Sequence, residues 1–314
     1  MTKKTALFSP RTDLAIDIHE ILTEDSGSEP DGLESNFEEK DGVEVFTLKV
    51  LNESGVKKAG KPIGSYVTVS TGRIWTYDND RFLKVCSVVS DEIKKFLPSG
   101  KTFLIAGLGN REIIADAIGA EVAAYTIVTR HIKQNSPSLF NSFDMCETAY
   151  ITPGVLGNTG VEAAEIIKGV ADDIHPDCII AIDSLSSRRI SRLATTVQIC
   201  NTGIAPGSGV ANSRHSINRE SMGVPVIAIG IPTVVDAATL AVDILNEADK
   251  FGVFNGQIPE SSAIHSILES SNLNFYVTPK ESDIIIKNSA KLLGFALNRA
   301  IHKNLSFEDM ADFL

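Results

Sequence analysis

The sequence predicts an α/β fold: a three-layer, mostly parallel, doubly wound sheet with a β extension on its N-terminal side. Three observations predict it. Runs such as Cys178–Ile182 and Val224–Gly230 are almost continuously apolar, as in strands covered on both faces by helices. These runs alternate along the chain with stretches of helical periodicity. The composition is that of an ordinary globular protein, with 314 residues, 43% apolar, 22% charged, 23 Gly, 12 Pro and a mean hydropathy of +0.07. That length suffices for one large α/β domain.

The elements come in chain order. Leu14, Ile16 and Ile18 begin an apolar pattern within residues 1–23, read as a detachable or late-docking N-terminal segment. Between Glu24 and Gly42 stand eight acids against the single base Lys40, which is −7 of the net −11. With its Ser, Gly and Pro this stretch, 24–42, reads as an acidic, solvated surface loop. Val43–Val50 and Ile63–Ser70 are β-branched and aromatic runs joined through Asn52, Gly55 and Gly60, so 43–78 reads as a two-stranded edge element. Asp80 is the expected cap of a helix whose Phe82, Val85, Cys86, Val89, Ile93 and Phe96 share one face and which stops at Pro98 and Gly100. Strands are expected at Thr102–Ala106, Ala123–Val128, Cys178–Ile182, Val224–Gly230 and Phe275–Val277. Thr278, Pro279 and Glu281 have the spacing of a capping box for a last helix, Ile284–Ile301.

Several classes of function are excluded or disfavoured. Outside 24–42 the chain is nearly neutral, with no basic stripe for phosphates, so no direct nucleic-acid partner is expected. The longest apolar stretch, Val224–Pro232, is far short of the roughly 20 residues a bilayer requires. Arg11 and Asp13 interrupt any secretory leader, which points to the cytoplasm. Cys86, Cys146, Cys178 and Cys200 form no CxxC pair, and no metal site is expected; Cys86 and Cys178 read as small core residues. Gly107-Leu108-Gly109 fails as a dinucleotide fingerprint because Glu112 stands where its third glycine belongs, so no cofactor is expected. Gly207-Ser208-Gly209 fails as a nucleophile elbow because Pro206 replaces the first glycine.

In open parallel sheets the reacting groups collect at the carboxyl ends of the strands. Three carboxylates meet that condition: Asp116 after the Gly107–Asn110 turn, Asp183 at the end of Cys178–Ile182, and Asp236 after Val224–Gly230. Each also has a plain structural role. Asp236 stands three residues after Thr233, as the acid of a capping box. Asp116 suits the first turn of a helix running to Tyr125, and Asp183 suits the N-cap of a helix Ser184–Leu193.

The strings Ile127–His131, Pro153–Glu162, Ile179–Leu185, Gly203–Gly209 and Val224–Ala237 together closely resemble the spore germination protease family of endospore-forming bacteria. The resemblance runs from Arg11 to about His302, with a segment 251–272 shorter than the family usually carries. It implies a phosphorylase/hydrolase-like α/β fold and an atypical aspartic endopeptidase of the forespore or spore core. The implied substrates are small acid-soluble spore proteins that coat DNA. Asp116 and Asp183 match the family's catalytic carboxylates, and no metal or other cofactor is implied. The family is made as a homotetrameric zymogen that cuts its own N-terminus. Arg11–Ala15 looks like that processing site, with the scissile bond between Asp13 and Leu14, so 1–13 is the expected propeptide and 14–314 a single peptidase domain.

The residues agree with that chemistry. Peptide hydrolysis requires one group to take a proton from water and another to give one to the leaving nitrogen, which two neighbouring carboxylates supply with coupled titration. A scissile bond tethered in its own chain is at high effective concentration. The acidic residue before the cut calls for a cation, with Arg130, Arg188 and Arg214 as candidates. Two alternatives remain at this level: a metal-dependent peptidase like those that mature hydrogenases, whose metal-binding Asp-Gly is Pro153-Gly154 here, and a phosphorylase-like or binding protein.

Overall fold

The computed structural model describes residues 11–24, 27–206, 215–253 and 275–313. One sheet organises them, in the order β1 (Leu33–Lys40), β2 (Val43–Val50), β3 (Gly64–Ser70), β7 (Thr196–Cys200), β8 (Val226–Asp236), β6 (Cys178–Ser186), β4 (Thr102–Gly107) and β5 (Glu147–Ile151), with β9 (Tyr276–Val277) paired to β8. The central strands β8, β6, β4 and β5 run parallel. The strands β1, β2, β3 and β7 extend them antiparallel, joining the expected N-terminal β extension to the sheet.

Side-chain alternation along the strands separates the two faces. Phe103, Ile105, Cys178, Ile180, Ile182, Ile227 and Ile229 pack with Val85, Cys86 and Val89 of α3 (Asn79–Lys94) and with Leu293 and Leu297 of the helix Ser282–Ile301. Leu104, Ala106, Ile179 and Ala181 point the other way, onto Ala164, Ile167 and Ala171 of the helix Ala163–Ile174. Beside them on this face lies α1 (Ala15–Glu24), whose Ala15 and Ile16, with Leu14 just ahead of it, pack on Phe46, Leu48, Tyr66 and Leu185. Of the N-terminal segment, Leu14, Ala15 and Ile16 thus lie in the core.

Several expectations are corrected. The acidic stretch is not a loop throughout, because Leu33–Lys40 pairs with β2 over its whole length, with Glu34, Glu38 and Glu39 all exposed. The connection after β2 holds a helix, α2 (Glu53–Ala59), capped by Asn52 and stopped at left-handed Gly60. Asp78, not Asp80, caps α3 by accepting from the Arg81 amide. Ala123–Val128 is not a strand; its first three residues form a 3-10 turn after α4 (Ile118–Val122), and the sheet position goes to β5. The last helix begins at Ser282 without the expected side-chain cap. The segment 254–274, and with it most of the shortened stretch, lies outside the described residues.

Candidate active site

Asp183 does not cap a helix. β6 continues past it to Ser186, with Asp183 opposite Gly230 and Ser184 opposite Ile231 of β8. Since β4 ends opposite Ile182, Asp183 is the first β6 residue beyond the edge of its neighbour. Its side chain is buried, and its Oδ1 accepts from the Ser184 amide at 2.9 Å.

Asp116 is brought there by the turn that leaves β4. The Leu108 amide donates to the Ile182 carbonyl at 2.7 Å, which keeps the turn on β6 for one residue more. Gly109 then turns the chain at φ +99°, and a Cβ there would stand 2.0 Å from the Asp116 carbonyl oxygen and 2.9 Å from its Oδ1. Only a glycine satisfies both conditions. The 3-10 turn Ile114–Asp116 comes next, held to β8 by the Thr233 hydroxyl donating to the Ala115 carbonyl at 2.6 Å. The Asn110 amide donates to Asp116 Oδ2 at 2.8 Å.

The two aspartates line one cavity of about 400 Å³, together with Gly109, Val155, Glu162, Ser186, Ala205, His215 and Tyr276. Asp236 is elsewhere. It is itself the N-cap of the helix Ala237–Lys250, accepting from the Thr239 amide and hydroxyl, rather than the acid of a box begun by Thr233.

Asp13 lines the same cavity, and a smaller hollow of about 230 Å³ adjoins it on Asp13, Lys61 and Gln198. The chain from Arg11 to Ala15 is held by several hydrogen bonds. Arg11 Nη1 reaches Asp236 Oδ1 and Tyr276 Oη, both at 3.4 Å. The Asp13 amide donates to the Ser186 carbonyl at 3.0 Å, and the Asp13 carboxylate accepts from the Ser186 amide at 2.8 Å and its hydroxyl at 3.0 Å. The Asp13 carbonyl accepts from Lys61 Nζ and Gln198 Nε2, each at 2.9 Å. The Ala15 amide donates to Gln198 Oε1 at 2.6 Å, and Leu14 between them is fully buried.

The sequence singled out Asp13, Leu14, Asp116 and Asp183; Asp13, Asp116 and Asp183 line one cavity, and Leu14, next in the chain after Asp13, is fully buried. Sequence reasoning missed Ser186, Lys61 and Gln198. Gln198 left a signal, as a polar residue in the buried run of β7; Lys61 and Ser186 left none. The candidate cations are corrected: Arg188 pairs with Glu24 and Asp243, and Arg130 pairs with Glu147. Arg214 and Gly207–Gly209 lie outside the described residues. Lys61 stands at the Asp13 carbonyl, while Ser186 holds the Asp13 carboxylate.

The chain is similar to several known proteins. A family model described as germination protease matches residues 12–253. The germination protease of Clostridium perfringens is 40% identical over 98% of this chain and 100% of its own. That of Bacillus licheniformis is 34% identical over 95% of each. Among solved structures, the NiFe hydrogenase maturation protease HycI of Thermococcus kodakarensis is similar over 67% of this chain and 98% of its own, at 16% identity and a TM-score of 0.35.

Proposed function

The chain belongs to the germination protease family, and from that premise we propose how this endopeptidase of spore germination works. Asp116 and Asp183 act as the acid/base pair of an atypical aspartic peptidase, and the chain is a zymogen that cuts itself between Asp13 and Leu14. One observation carries this reading: the residue before that bond lines the same cavity as both carboxylates.

One carboxylate takes a proton from water as it attacks the Asp13 carbonyl carbon, and the other gives a proton to the Leu14 nitrogen as the bond breaks. Recognition derives from the way Asp13 is held. An acidic side chain meets the Ser186 amide and hydroxyl, an apolar one is buried, and the next residue engages Gln198 through its backbone. Small acid-soluble spore proteins cut after an acidic residue followed by an apolar residue and Ala meet the same demands. Release of 1–13 empties the cavity for them, and the expected setting is a homotetramer in the spore core.

The test is incubation of the purified chain with a small acid-soluble spore protein, with and without chelator, alongside Asp116→Asn and Asp183→Asn. Each variant is expected to lose about 10²- to 10⁴-fold in cleavage and to retain the wild-type thermal transition. Wild-type cleavage by either variant overturns the pair.

A further inference from the structure

The proposed mechanism leaves unexplained why a half-buried lysine and a buried glutamine converge on one carbonyl. The Asp13 carbonyl oxygen receives the Lys61 ammonium and the Gln198 amide nitrogen, each at 2.9 Å. The orientation of Gln198 is fixed by its other end, where Oε1 accepts from the Ala15 amide at 2.6 Å. Gln198 therefore brackets the Asp13–Leu14 bond, holding the carbonyl before it and the second amide after it. Lys61 is held in turn over the Tyr66 ring, 5.3 Å from its centroid.

We propose that Lys61 and Gln198 form the oxyanion-binding site of this peptidase, stabilising the charge that develops on the carbonyl oxygen of the scissile bond. This rests on Asp13–Leu14 being the bond cut by the aspartate pair. As the water oxygen bonds to the Asp13 carbonyl carbon, its proton passes to one carboxylate and the carbonyl π pair moves onto oxygen. That oxygen, now negative, lies between an ammonium and an amide N–H at the separation expected of oxyanion donors. When the C=O re-forms, the C–N pair moves to the Leu14 nitrogen, which takes a proton from the other carboxyl group. The products are the Asp13 α-carboxylate and the Leu14 amine.

A charged donor suits this place for a second reason. Around Lys61 stand Asp13 and Asp17 of the N-terminal segment, Cys200 of β7 and Tyr66 of β3. Burial lowers the Lys61 pKa from its ordinary value, against the opposing pull of Asp13, Cys200 and Asp17. The ammonium must be protonated to act, so the cleavage rate falls as pH rises through that lowered value. Arg, which stays charged, removes this limb.

The test tracks self-processing of the full chain by the appearance of an N-terminus at Leu14, and kcat and KM on a peptide with the sequence of residues 11–18 using processed enzyme. Lys61→Met is expected to slow cleavage about 10²- to 10³-fold with little change in KM, and Gln198→Ala to lower kcat by as much while also raising KM, since it loses the backbone contact to the second residue after the cut. Lys61→Arg restores part of the rate and abolishes the basic limb of the pH profile. Gln198→Glu keeps the side-chain shape and places a carboxylate against the oxyanion, so a folded Gln198→Glu chain is slowed at least as much as Gln198→Ala. Wild-type kcat in Lys61→Met or Gln198→Glu overturns the proposal, as does a loss confined to KM. The Asn variants of Asp116 and Asp183 separate the two readings. If they are inert while the Lys61 and Gln198 variants cleave normally, the oxyanion site alone fails. If they still cut between Asp13 and Leu14, the acid/base pair fails.

Discussion

At the scale of single residues, the pH dependence of this peptidase mixes chemistry with stability, and His302 is where the two separate. His302 comes just after the helix Ser282–Ile301, is fully buried, and has its pKa pushed down by burial to about 4 from an ordinary 6.5. The folded state thus resists protonation that the unfolded chain accepts. Stability is full above about 6.5, falls as pH drops toward about 4, and loses nothing more to this residue below that. The loss is roughly 3 kcal/mol across the window. Protonation of the base of the proposed acid/base pair also stops activity on acidification, so an acid limb of activity in the wild type carries both effects. His302→Gln removes the second: urea midpoints measured between pH 7 and 4 should flatten in the variant, while the acid limb of kcat stays. A variant whose midpoints fall with pH as steeply as the wild type's would rule out His302 as the source.

At the scale of elements, the turn between β4 and α4 places Asp116 at the cavity that Asp183 also lines. Gly109 holds it at φ +99° with no room for a Cβ against Asp116. Gly109→Ala is expected to cost about 1–3 kcal/mol of strain and to displace Asp116. Misplacement of about 1 Å costs on the order of 10²-fold in rate, so cleavage should fall far more than the shift in melting temperature suggests. Near-normal kcat in a folded Gly109→Ala chain would show that the turn does not set the aspartate.

Legibility in the sequence also divides by element. β4, β6 and β8 are readable because strands buried on both faces leave continuous apolar runs, and their ends point to Asp116, Asp183 and Asp236, of which the family resemblance singles out the first two. β1 and β5 sit at the two edges of the sheet and are largely exposed or half-buried, so they carry no such run. Ala123–Val128 has the run without the strand. Its apolar side is closed by the helix Ser282–Ile301, where Gly294 lets Tyr125 come close and Asn298 donates to the Tyr125 carbonyl and accepts from the Ile127 amide. Burial without a β partner gives the same composition as burial with one. Lys61 escaped notice because its role depends on β3, β7 and the N-terminal segment meeting, which no local spacing records.

At the scale of the whole molecule, the proposed self-cleavage has to release 1–13 and vacate the Leu14 and Ala15 positions for substrate without loosening α1 from Asp17 onward. Leu14 and Ala15 are fully buried in the core shared with β2, β3 and β6. α1 is then fastened to the turn after β6 by three arginines: Arg192 binds Asp17 and Glu20, Arg189 binds Glu20, and Arg188 binds Glu24. Asp17 is the central member. It is fully buried, and its Oδ2 accepts from the Thr12 hydroxyl at 2.6 Å and the Arg188 amide at 2.7 Å, so it ties the processing segment to the turn as well. Removing one partner of a buried ion pair leaves the other charge uncompensated, at about 3–5 kcal/mol. Arg192→Met should therefore lower the melting temperature of uncut and cut chains alike, because the Arg192 contacts to Asp17 and Glu20 lie on the Leu14 side of the bond. It should also slow self-processing by unseating Thr12, while the rate on an added peptide changes less. Calorimetry of both forms checks the first point and N-terminal sequencing over time checks the second. If the variant lost stability only before the cut, α1 would be held by 1–13 rather than by the arginines, and processing would free the helix along with the propeptide.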